Sequence, residues 1–111
     1  MTEALRSNTG KPEMSYILTF PQAIAELAKV CMYGGEKYER GNYLRGGKPL
    51  TEYVDCLLRH LTAWQNGEDD DPESGCSHLG HVLWNALALC QFALSGNSKD
   101  DRINEEVMRD V

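Results

Sequence analysis

"SHLGHVLWNALALCQFAL", residues 77–94, is the stretch that decides the fold. It is apolar nearly all round, which is typical of a helix buried at the centre of a molecule. Three polar side chains recur on it at helical spacing: His78, His81 and Asn85. Buried polar groups need hydrogen-bond partners. These three either bond to the neighbouring backbone or, as their common register favours, form the polar wall of a pocket. Direct metal ligation by the histidines is the less favoured interpretation.

Two further helices are predicted upstream. The first begins near Pro21, since proline is favoured in a first turn, and the second runs from Pro49 or Thr51 to Gln65. The apolar side chains of the second form one stripe, which predicts its core face: Val54, Leu57, Leu58, Leu61 and Trp64. No strand-like alternation stands out. The sequence therefore predicts an all-α fold, with a polar arm over residues 1–15, a helical domain over 16–95 and a charged tail over 96–111.

Length and charge limit the possible functions. A chain of 111 residues forms one domain, and its net charge of −6 argues against sequence-independent binding of nucleic acid. No apolar run is long enough to cross a bilayer, and the N-terminus lacks the apolar stretch of a signal peptide. We therefore expect a cytoplasmic protein with neither nucleic-acid nor membrane partners. The four cysteines show no CxxC pairing, which favours reduced thiols.

Four carboxylates occur as two helix-spaced pairs around a glycine-rich loop. Glu36 and Glu39 precede the loop, and Glu52 and Asp55 follow it. Each residue taken alone is most simply a solvated surface charge. If the first helix continues through Gly34 and Gly35, however, Glu39 lies near an apolar face, where an uncompensated charge is unfavourable. Oxygen ligands of this kind suit Mg²⁺ or Mn²⁺. Spacing alone leaves both interpretations open.

Several segments occur together in one order: "GKP" at 10–12, "YGGEKYERGNY" at 33–43, "LLRHLTAWQNGEDDDPESG" at 57–75 and "SHLGHVLWNAL" at 77–87. The two acidic pairs resemble the ExxE…ExxD motif of the MazG-like, all-α nucleoside triphosphate pyrophosphohydrolases. The ordered set resembles more closely the phage and bacterial dATP/dGTP diphosphohydrolases, which include the MazZ-type phage enzymes. This resemblance extends from about Gly10 to Leu94.

The resemblance implies a helical bundle, with a catalytic domain over residues 16–95, that is completed as a homodimer or homotetramer. It implies cleavage of a purine deoxynucleoside triphosphate between the α and β phosphorus atoms, with Mg²⁺ or Mn²⁺ as cofactor. The implied metal ligands are Glu36, Glu39, Glu52 and Asp55. Glu39, or equally Glu36, is the expected general base. The residues expected to contact substrate or to tether the ligands are Lys11, Lys37, Asn42, Arg59, His78, His81 and Asn85.

Two alternatives remain open at this point. The same motif would serve a house-cleaning enzyme for another base, such as dUTP or dCTP, and Tyr43 stands where the closer group often has tryptophan. A non-enzymatic helical oligomerisation module would leave the acids merely solvated. A di-iron site is disfavoured, since it calls for Glu-x-x-His pairs and no glutamate here has a histidine three residues on.

Overall fold

The computed structural model describes residues 2–103. Three α-helices form the body: α1 (Pro21–Lys37), α2 (Leu50–Gln65) and α3 (His78–Ser95). Short 3₁₀ helices span Met14–Thr19 and Asn42–Arg45. Between residues 2 and 103 there is no strand, only two isolated bridges. The predicted all-α fold is confirmed. The predicted charged tail lies outside the described residues from position 104 onward.

Local sequence sets the ends of α1 and α3. Pro21 occupies the first turn of α1, where its missing N–H is not needed. Ser77 caps α3 by accepting a hydrogen bond from the Gly80 backbone N–H, and its hydroxyl donates to Glu26 on α1 at 2.9 Å. Gly96 ends α3 in the left-handed conformation, with φ of 77°. The cap at Ser77 thus also joins α3 to α1.

Helix α3 is the shared packing partner of the other two helices. It contains no charged Asp, Glu, Lys or Arg side chain, and it contacts both α1 and α2. Within the described residues, the backbones of α1 and α2 stay apart, with no Cα atom of one within 8 Å of a Cα atom of the other. Their separation on the surface of α3 opens a cleft whose floor is the polar side of α3.

The core of the single chain is small. Six hydrophobic side chains between residues 2 and 103 are buried: Val30, Leu50, Tyr53, Cys76, Ala88 and Phe92. Tyr53, Ala88 and Phe92 form one cluster, and Trp84 and Leu89 pack against it. A core of this size offers little apolar burial to offset the conformational entropy of a domain.

The predicted core face of α2 is wrong in part. Helix α2 turns Leu50 and Tyr53 into the core, and Val54 and Leu57 are only half-buried. Leu58 is 51% exposed, and Leu61 and Trp64 are also exposed. The buried face is rotated toward Tyr53 because α2 presents that ring to Phe92 of α3, at a centroid distance of 5.7 Å.

A continuous apolar surface remains uncovered on the outside of α3. Its members, which we call the leucine stripe, lie one turn apart at Leu79, Leu83 and Leu87 and then two turns further on at Leu94. Leu87 is 52% exposed. The expectation that α3 is buried all round therefore fails for the isolated chain. None of the helices in the described range is both long and apolar enough to traverse a bilayer.

Replacing Gly80 with alanine should destabilise the fold. A Cβ there would lie 3.2 Å from the Glu26 carbonyl oxygen and 3.3 Å from a methyl carbon of Val30, where α1 and α3 approach closely. We expect a loss of about 1–3 kcal/mol in the free energy of unfolding. Gly34→Ala is the control, since a Cβ at that helical position meets nothing within 4 Å. It should gain up to about 1 kcal/mol through helix propensity. Urea unfolding of both variants measures the difference, and equal stabilities would contradict the close packing.

Candidate nucleotide-binding cleft

The cleft between α1 and α2 has a volume of about 860 Å³, which is large enough for a nucleotide-sized ligand. Its floor is the polar side of α3. The loop between α1 and α2 closes one side, and the loop between α2 and α3 contributes to another. Twenty-two residues line it, and among them are both charged and aromatic side chains in unusual number.

Four cations line this cleft, although the chain as a whole carries a net charge of −6: Lys37, Arg45, Lys48 and Arg59. Three of them are paired with carboxylates. Lys37 contacts Glu73 at 2.7 Å, Lys48 contacts Glu52 at 3.7 Å, and Arg45 pairs with Glu39. The hydrogen bond to Glu73 raises the pKa of Lys37, so this ammonium stays charged at any physiological pH.

Arg59 differs from the other three cations. Its guanidinium contacts the Cys56 sulfur at 3.0 Å. Within residues 2–103 it has no carboxylate within ion-pair distance. The guanidinium is therefore available for an anionic group. Its planar geometry suits bidentate hydrogen bonding to phosphate.

Aromatic rings line the cleft beside these cations. The Trp84 ring meets the Tyr43 ring edge to face, at a centroid distance of 6.0 Å and an angle of 87°. Tyr53 tilts against Trp84 at 6.3 Å. These rings form a rigid apolar wall, against which a planar heterocycle could stack. Trp84 is half-buried and lines the cleft.

All three histidines of the chain meet at the polar end of the cleft. His60 on α2 lies with its Nδ1 2.9 Å from Nδ1 of His78, and its ring stacks on His81 at 4.2 Å, nearly parallel at 5°. His78 Nε2 lies 2.6 Å from a carboxylate oxygen of Glu68, and His81 Nε2 lies 2.7 Å from the Ser74 hydroxyl. His78 and His81 are buried. We call these three residues the histidine cluster.

The hydrogen-bond partners limit where the protons of these rings lie. The Glu68 carboxylate can only accept, so His78 donates to it from Nε2. Ser74 donates to Asp71 at 2.8 Å, so its oxygen accepts the proton of His81 Nε2. Burial lowers the pKa of both His60 and His81, which favours the neutral forms of those two rings.

The loop between α2 and α3 is folded tightly beneath this cluster. The Asp71 N–H donates to the Cys76 carbonyl, and the Gly75 N–H donates to the Asp71 carbonyl, both at 2.8 Å. Burial opposes ionisation of Asp71, but hydrogen bonds from the Ser74 hydroxyl and N–H prevail, and the net pKa is lowered. The loop thereby presents an ionised Asp71 and the Glu73 partner of Lys37 to the cleft.

Seven of the residues expected to form the site line the cleft: Lys37, Asn42, Glu52, Arg59, His78, His81 and Asn85. Asn85 is buried, and its amide donates to the His81 carbonyl at 2.8 Å. The other four do not line it: Lys11, Glu36, Glu39 and Asp55. Lys11 belongs to the exposed N-terminal arm.

The expected burial of Glu39 is wrong for the single chain. Helix α1 does continue through Gly34 and Gly35, but it ends at Lys37. Glu39 therefore lies beyond the helix, with its side chain 58% exposed and paired with Arg45, whereas the Glu52 side chain is 54% exposed. Glu39 is thus not the least solvated of the four acids. Its assignment as the base stays a prediction.

The described residues do not form a ready-made metal cage. No group of three or more His, Cys, Asp or Glu side chains between residues 2 and 103 is arranged to hold an ion. A magnesium ion, however, is commonly bound through one or two carboxylates together with substrate phosphates. Glu52 suits that role because its one ion pair, with Lys48, is long. Asp55 follows one turn later on α2. Of the four expected ligands only Glu52 lines the cleft, so the residues present fit a metal held partly by substrate phosphates and not an all-protein site.

Sequence reasoning missed several residues that the fold brings to the cleft: His60, Tyr53, Arg45, Lys48, Asp71 and Glu73. His60 offered a signal, since it is a polar residue on the side of α2 adjacent to Tyr53, but the leucines of α2 concealed which face is buried. Asp71 and Glu73 lie in a stretch that reads only as a helix-ending loop. Their positions follow from hydrogen bonds that no spacing rule encodes.

Comparison with known proteins identifies the family to which this chain belongs. The family described as dATP/dGTP diphosphohydrolase, N-terminal, matches residues 1–102. The chain therefore belongs to this family, and the resemblance seen in the ordered motifs is confirmed.

A dATP/dGTP diphosphohydrolase of Salmonella phage PMBT28 is 26% identical to this chain over 98 residues. Those residues are 88% of this chain and 32% of the phage protein, so the chain spans about a third of that relative's length. No solved structure is significantly similar to the chain.

Stability should fall between pH 7.5 and 5.5 because of the histidine cluster. The pKa of His60 and of His81 is lower in the folded protein than the ordinary value near 6.5. Below that value the unfolded chain binds more protons, so unfolding becomes easier as the pH drops. The pKa values of Asp71 and Glu73 are also lowered, but these carboxyl groups change stability only in more acidic solution. Urea unfolding at several pH values measures this slope.

The matched variants are His60→Gln and Glu3→Gln, the latter in the exposed arm. His60→Gln should flatten the dependence between pH 7.5 and 5.5, because one titrating ring is gone, and Glu3→Gln should leave it unchanged. A slope that is the same in all three proteins would contradict the neutral, buried cluster.

Proposed function

We propose that this protein is a metal-dependent nucleoside triphosphate pyrophosphohydrolase that converts dATP and dGTP to the monophosphate and pyrophosphate. The observation that carries the proposal is the cleft, in which four cations and a wall of aromatic rings line one space in an acidic chain. Family membership supports the same activity. A cleft of this composition suits a ligand with a planar end and a highly anionic end.

The cations would bind the phosphates. Arg59 has no competing carboxylate among the described residues, and Lys37 stays charged through its pair with Glu73. Arg45 and Lys48 lie on the loop between α1 and α2 and line the same space. Each can form charge-assisted hydrogen bonds to a phosphate oxygen. Together they offset the repulsion between a polyanion and a chain of negative net charge.

We propose Mg²⁺ or Mn²⁺ as the cofactor, held by Glu52 and Asp55 with the substrate phosphates, and with Glu36 and Glu39 as further ligands. The bound ion supplies neutralisation of phosphate charge and stabilises the charge that develops in the transition state. One of the glutamates, Glu39 or Glu36, would accept the proton of the attacking water. The carboxylates of α2 already lie within one turn of each other, which supports their acting together.

The aromatic wall would hold the base. Tyr43, Tyr53 and Trp84 offer π faces, and stacking of this kind tolerates any base. Choice among bases then rests on polar groups at the cleft, of which Asn42 and Asn85 are amides that can donate and accept. The alternative of dUTP or dCTP as substrate uses the same phosphate site and differs only at these contacts.

We also propose that the protein assembles as a homodimer or homotetramer through the leucine stripe. The single chain leaves Leu79, Leu83 and Leu87 in water while burying few hydrophobic side chains. Uncovered apolar surface of this kind marks an interaction site. We place the assembly in the cytoplasm, the host cytoplasm if the protein is encoded by a phage, where its nucleotide substrates are found. A purely structural oligomerisation module would use the same stripe but would not need the charged cleft.

Hydrolysis should be detected directly. We expect the purified protein to release pyrophosphate from dATP and dGTP with Mg²⁺ or Mn²⁺ and to produce the monophosphate. Chromatography of the products from a panel of eight nucleotides measures both the bond cleaved and the base preference. Mn²⁺ with a nucleotide should also raise the melting temperature through linkage. Release of orthophosphate alone, or no turnover and no thermal shift, would reject the proposal.

Variants within α2 test whether hydrolysis depends on Glu52 and Asp55. Glu52→Gln and Asp55→Ala should each lower kcat/KM by about 100-fold or more, because each removes a charge from the proposed site. Glu3→Gln, in the exposed arm, should retain wild-type activity. Circular dichroism checks that the helices remain. Undiminished turnover in both α2 variants would place the chemistry elsewhere.

Breaking the leucine stripe should dissociate the assembly. Leu83→Asp places a charge in the middle of the stripe, and we expect it to convert an oligomer to a monomer at micromolar concentration. Thr62→Asp is the control, since Thr62 is exposed on α2 and lies outside the stripe. Light scattering measures both masses. A wild-type protein that is monomeric and fully active would contradict the assembly.

A further inference from the structure

The chain that follows α3 turns back and lies beside the loop that carries two of the cleft cations. We call residues 97–101 the clasp. The Gly47 N–H donates to the Asn97 carbonyl at 3.0 Å, the Lys99 N–H donates to the Lys48 carbonyl at 3.1 Å, and the Leu50 N–H donates to the Lys99 carbonyl at 2.9 Å. Pro49 and Lys99 form an isolated parallel bridge. Backbone hydrogen bonds thus join the clasp to the residues that lead into α2.

Asp101 completes the first turn of α2. Pro49 precedes this helix and has no side chain that could cap it, although the first N–H groups of any helix lack internal partners. The Asp101 carboxylate accepts from the Thr51 N–H at 3.0 Å and from the Thr51 hydroxyl. These bonds lower the pKa of Asp101. A carboxylate fifty residues away in sequence therefore supplies both the cap and a charge favourable to the helix dipole.

The other end of the clasp is held at Gly46. The Asn97 amide donates to the Arg45 carbonyl at 3.2 Å. Gly46 adopts φ of 58°, and a Cβ there would come within 2.3 Å of the Asn97 amide nitrogen. Only glycine permits this backbone and this approach. The sequence "RGGK" at 45–48 is thus shaped to receive the clasp as well as to turn the chain.

The segment to which the clasp is bonded contributes to the cleft. Arg45, Lys48 and Glu52 all line it, whereas none of residues 97–101 does. The two glycines between the cations both have positive φ, of 58° and 76°. A loop of this kind has many accessible conformations when it is not held in place. Holding it in one conformation before the ligand arrives lowers the entropy lost on binding.

We propose that Asp101 is a positioning residue, which holds Arg45 and Lys48 at the cleft for the polyphosphate of the ligand through its bonds to Thr51 and the clasp. The inference rests on the proposed function, since it takes the cleft to bind a polyphosphate. It assigns the residues after α3 a role in affinity, although they touch neither the cleft nor the ligand.

Asp100 provides a matched control for Asp101. The two carboxylates are neighbours with the same charge, but Asp100 bonds only to Arg102 within the described residues. Coulomb's law alone predicts that removing either negative charge strengthens binding of a polyanion. If Asp101 positions the cations, its removal should instead weaken binding of the polyanion. The two explanations are therefore separated by the direction of the change, not by its size.

The experiment uses the full chain and inorganic tripolyphosphate, whose binding is measured by isothermal titration calorimetry and needs no turnover. We expect Asp101→Ala to raise the Kd roughly tenfold, since about one capping interaction is lost. Asp100→Ala should leave the Kd unchanged or lower it slightly. In turnover, Asp101→Ala should raise KM while kcat changes less than about threefold, as expected when binding of ground and transition state weakens equally.

Thr51 supplies the rescue and a second test. Thr51→Ser keeps both bonds to Asp101 and should bind as the wild type does, whereas Thr51→Val loses the hydroxyl bond and should weaken binding. A purely structural clasp would lower the melting temperature of Asp101→Ala but leave its Kd, measured well below that temperature, unchanged, and this result overturns the inference. So does equal weakening in Asp100→Ala.

The two proposals fail separately. Binding of tripolyphosphate that depends on Asp101 in a protein without nucleotide turnover supports the clasp and rejects the hydrolase. Normal turnover, with wild-type KM and Kd in Asp101→Ala and Thr51→Val, supports the hydrolase and rejects the clasp. If the wild-type protein does not bind tripolyphosphate at all, the clasp inference is rejected.

Discussion

The structure depends on one constraint: α3 has to satisfy three buried polar side chains and also serve as the common support of α1 and α2. His78, His81 and Asn85 lie on the buried side of an uncharged helix. Unpaired polar groups in that position would be strongly unfavourable. The partners of the two histidines come from α2 and from the loop before α3, through His60, Glu68 and Ser74, whereas Asn85 donates to the His81 carbonyl of α3 itself. Because α1 and α2 pack on α3 without meeting, these polar groups line an opening rather than a closed core.

Segments far apart in sequence border that opening, and polar contacts tie them to one another. The cap at Ser77 ties α3 to Glu26, and the pair of Lys37 and Glu73 ties the end of α1 to the loop before α3. On the other side, Asp101 and Thr51 tie the chain after α3 to the start of α2. Each tie is polar and exposed or half-exposed, so each is individually weak. Together they fix the three edges of a cleft whose apolar contacts lie mainly on α3.

The sequence was sufficient for some of these features. Proline at 21 marks the predicted start of α1, and the register of His78, His81 and Asn85 places them on one side of α3. The buried face of α2 was misjudged, because Leu58 and Leu61 follow helical spacing yet face outward. Periodicity shows that a face is apolar, not whether the same chain or another covers it. Asp101 could not be predicted, since its partner Thr51 is determined by the path of the chain after α3.

The ion pairs along the cleft mean that an anionic ligand would have to exchange with carboxylates of the protein itself. Lys37, Lys48 and Arg45 each already hold an anion of the protein itself. A singly charged solute such as chloride can only replace one carboxylate by another negative charge, which yields little free energy. A ligand that carries several charges on one framework can displace several carboxylates in a single event, because after the first exchange the others become intramolecular. We therefore expect linked anions to bind in the cleft in preference to abundant monovalent salt.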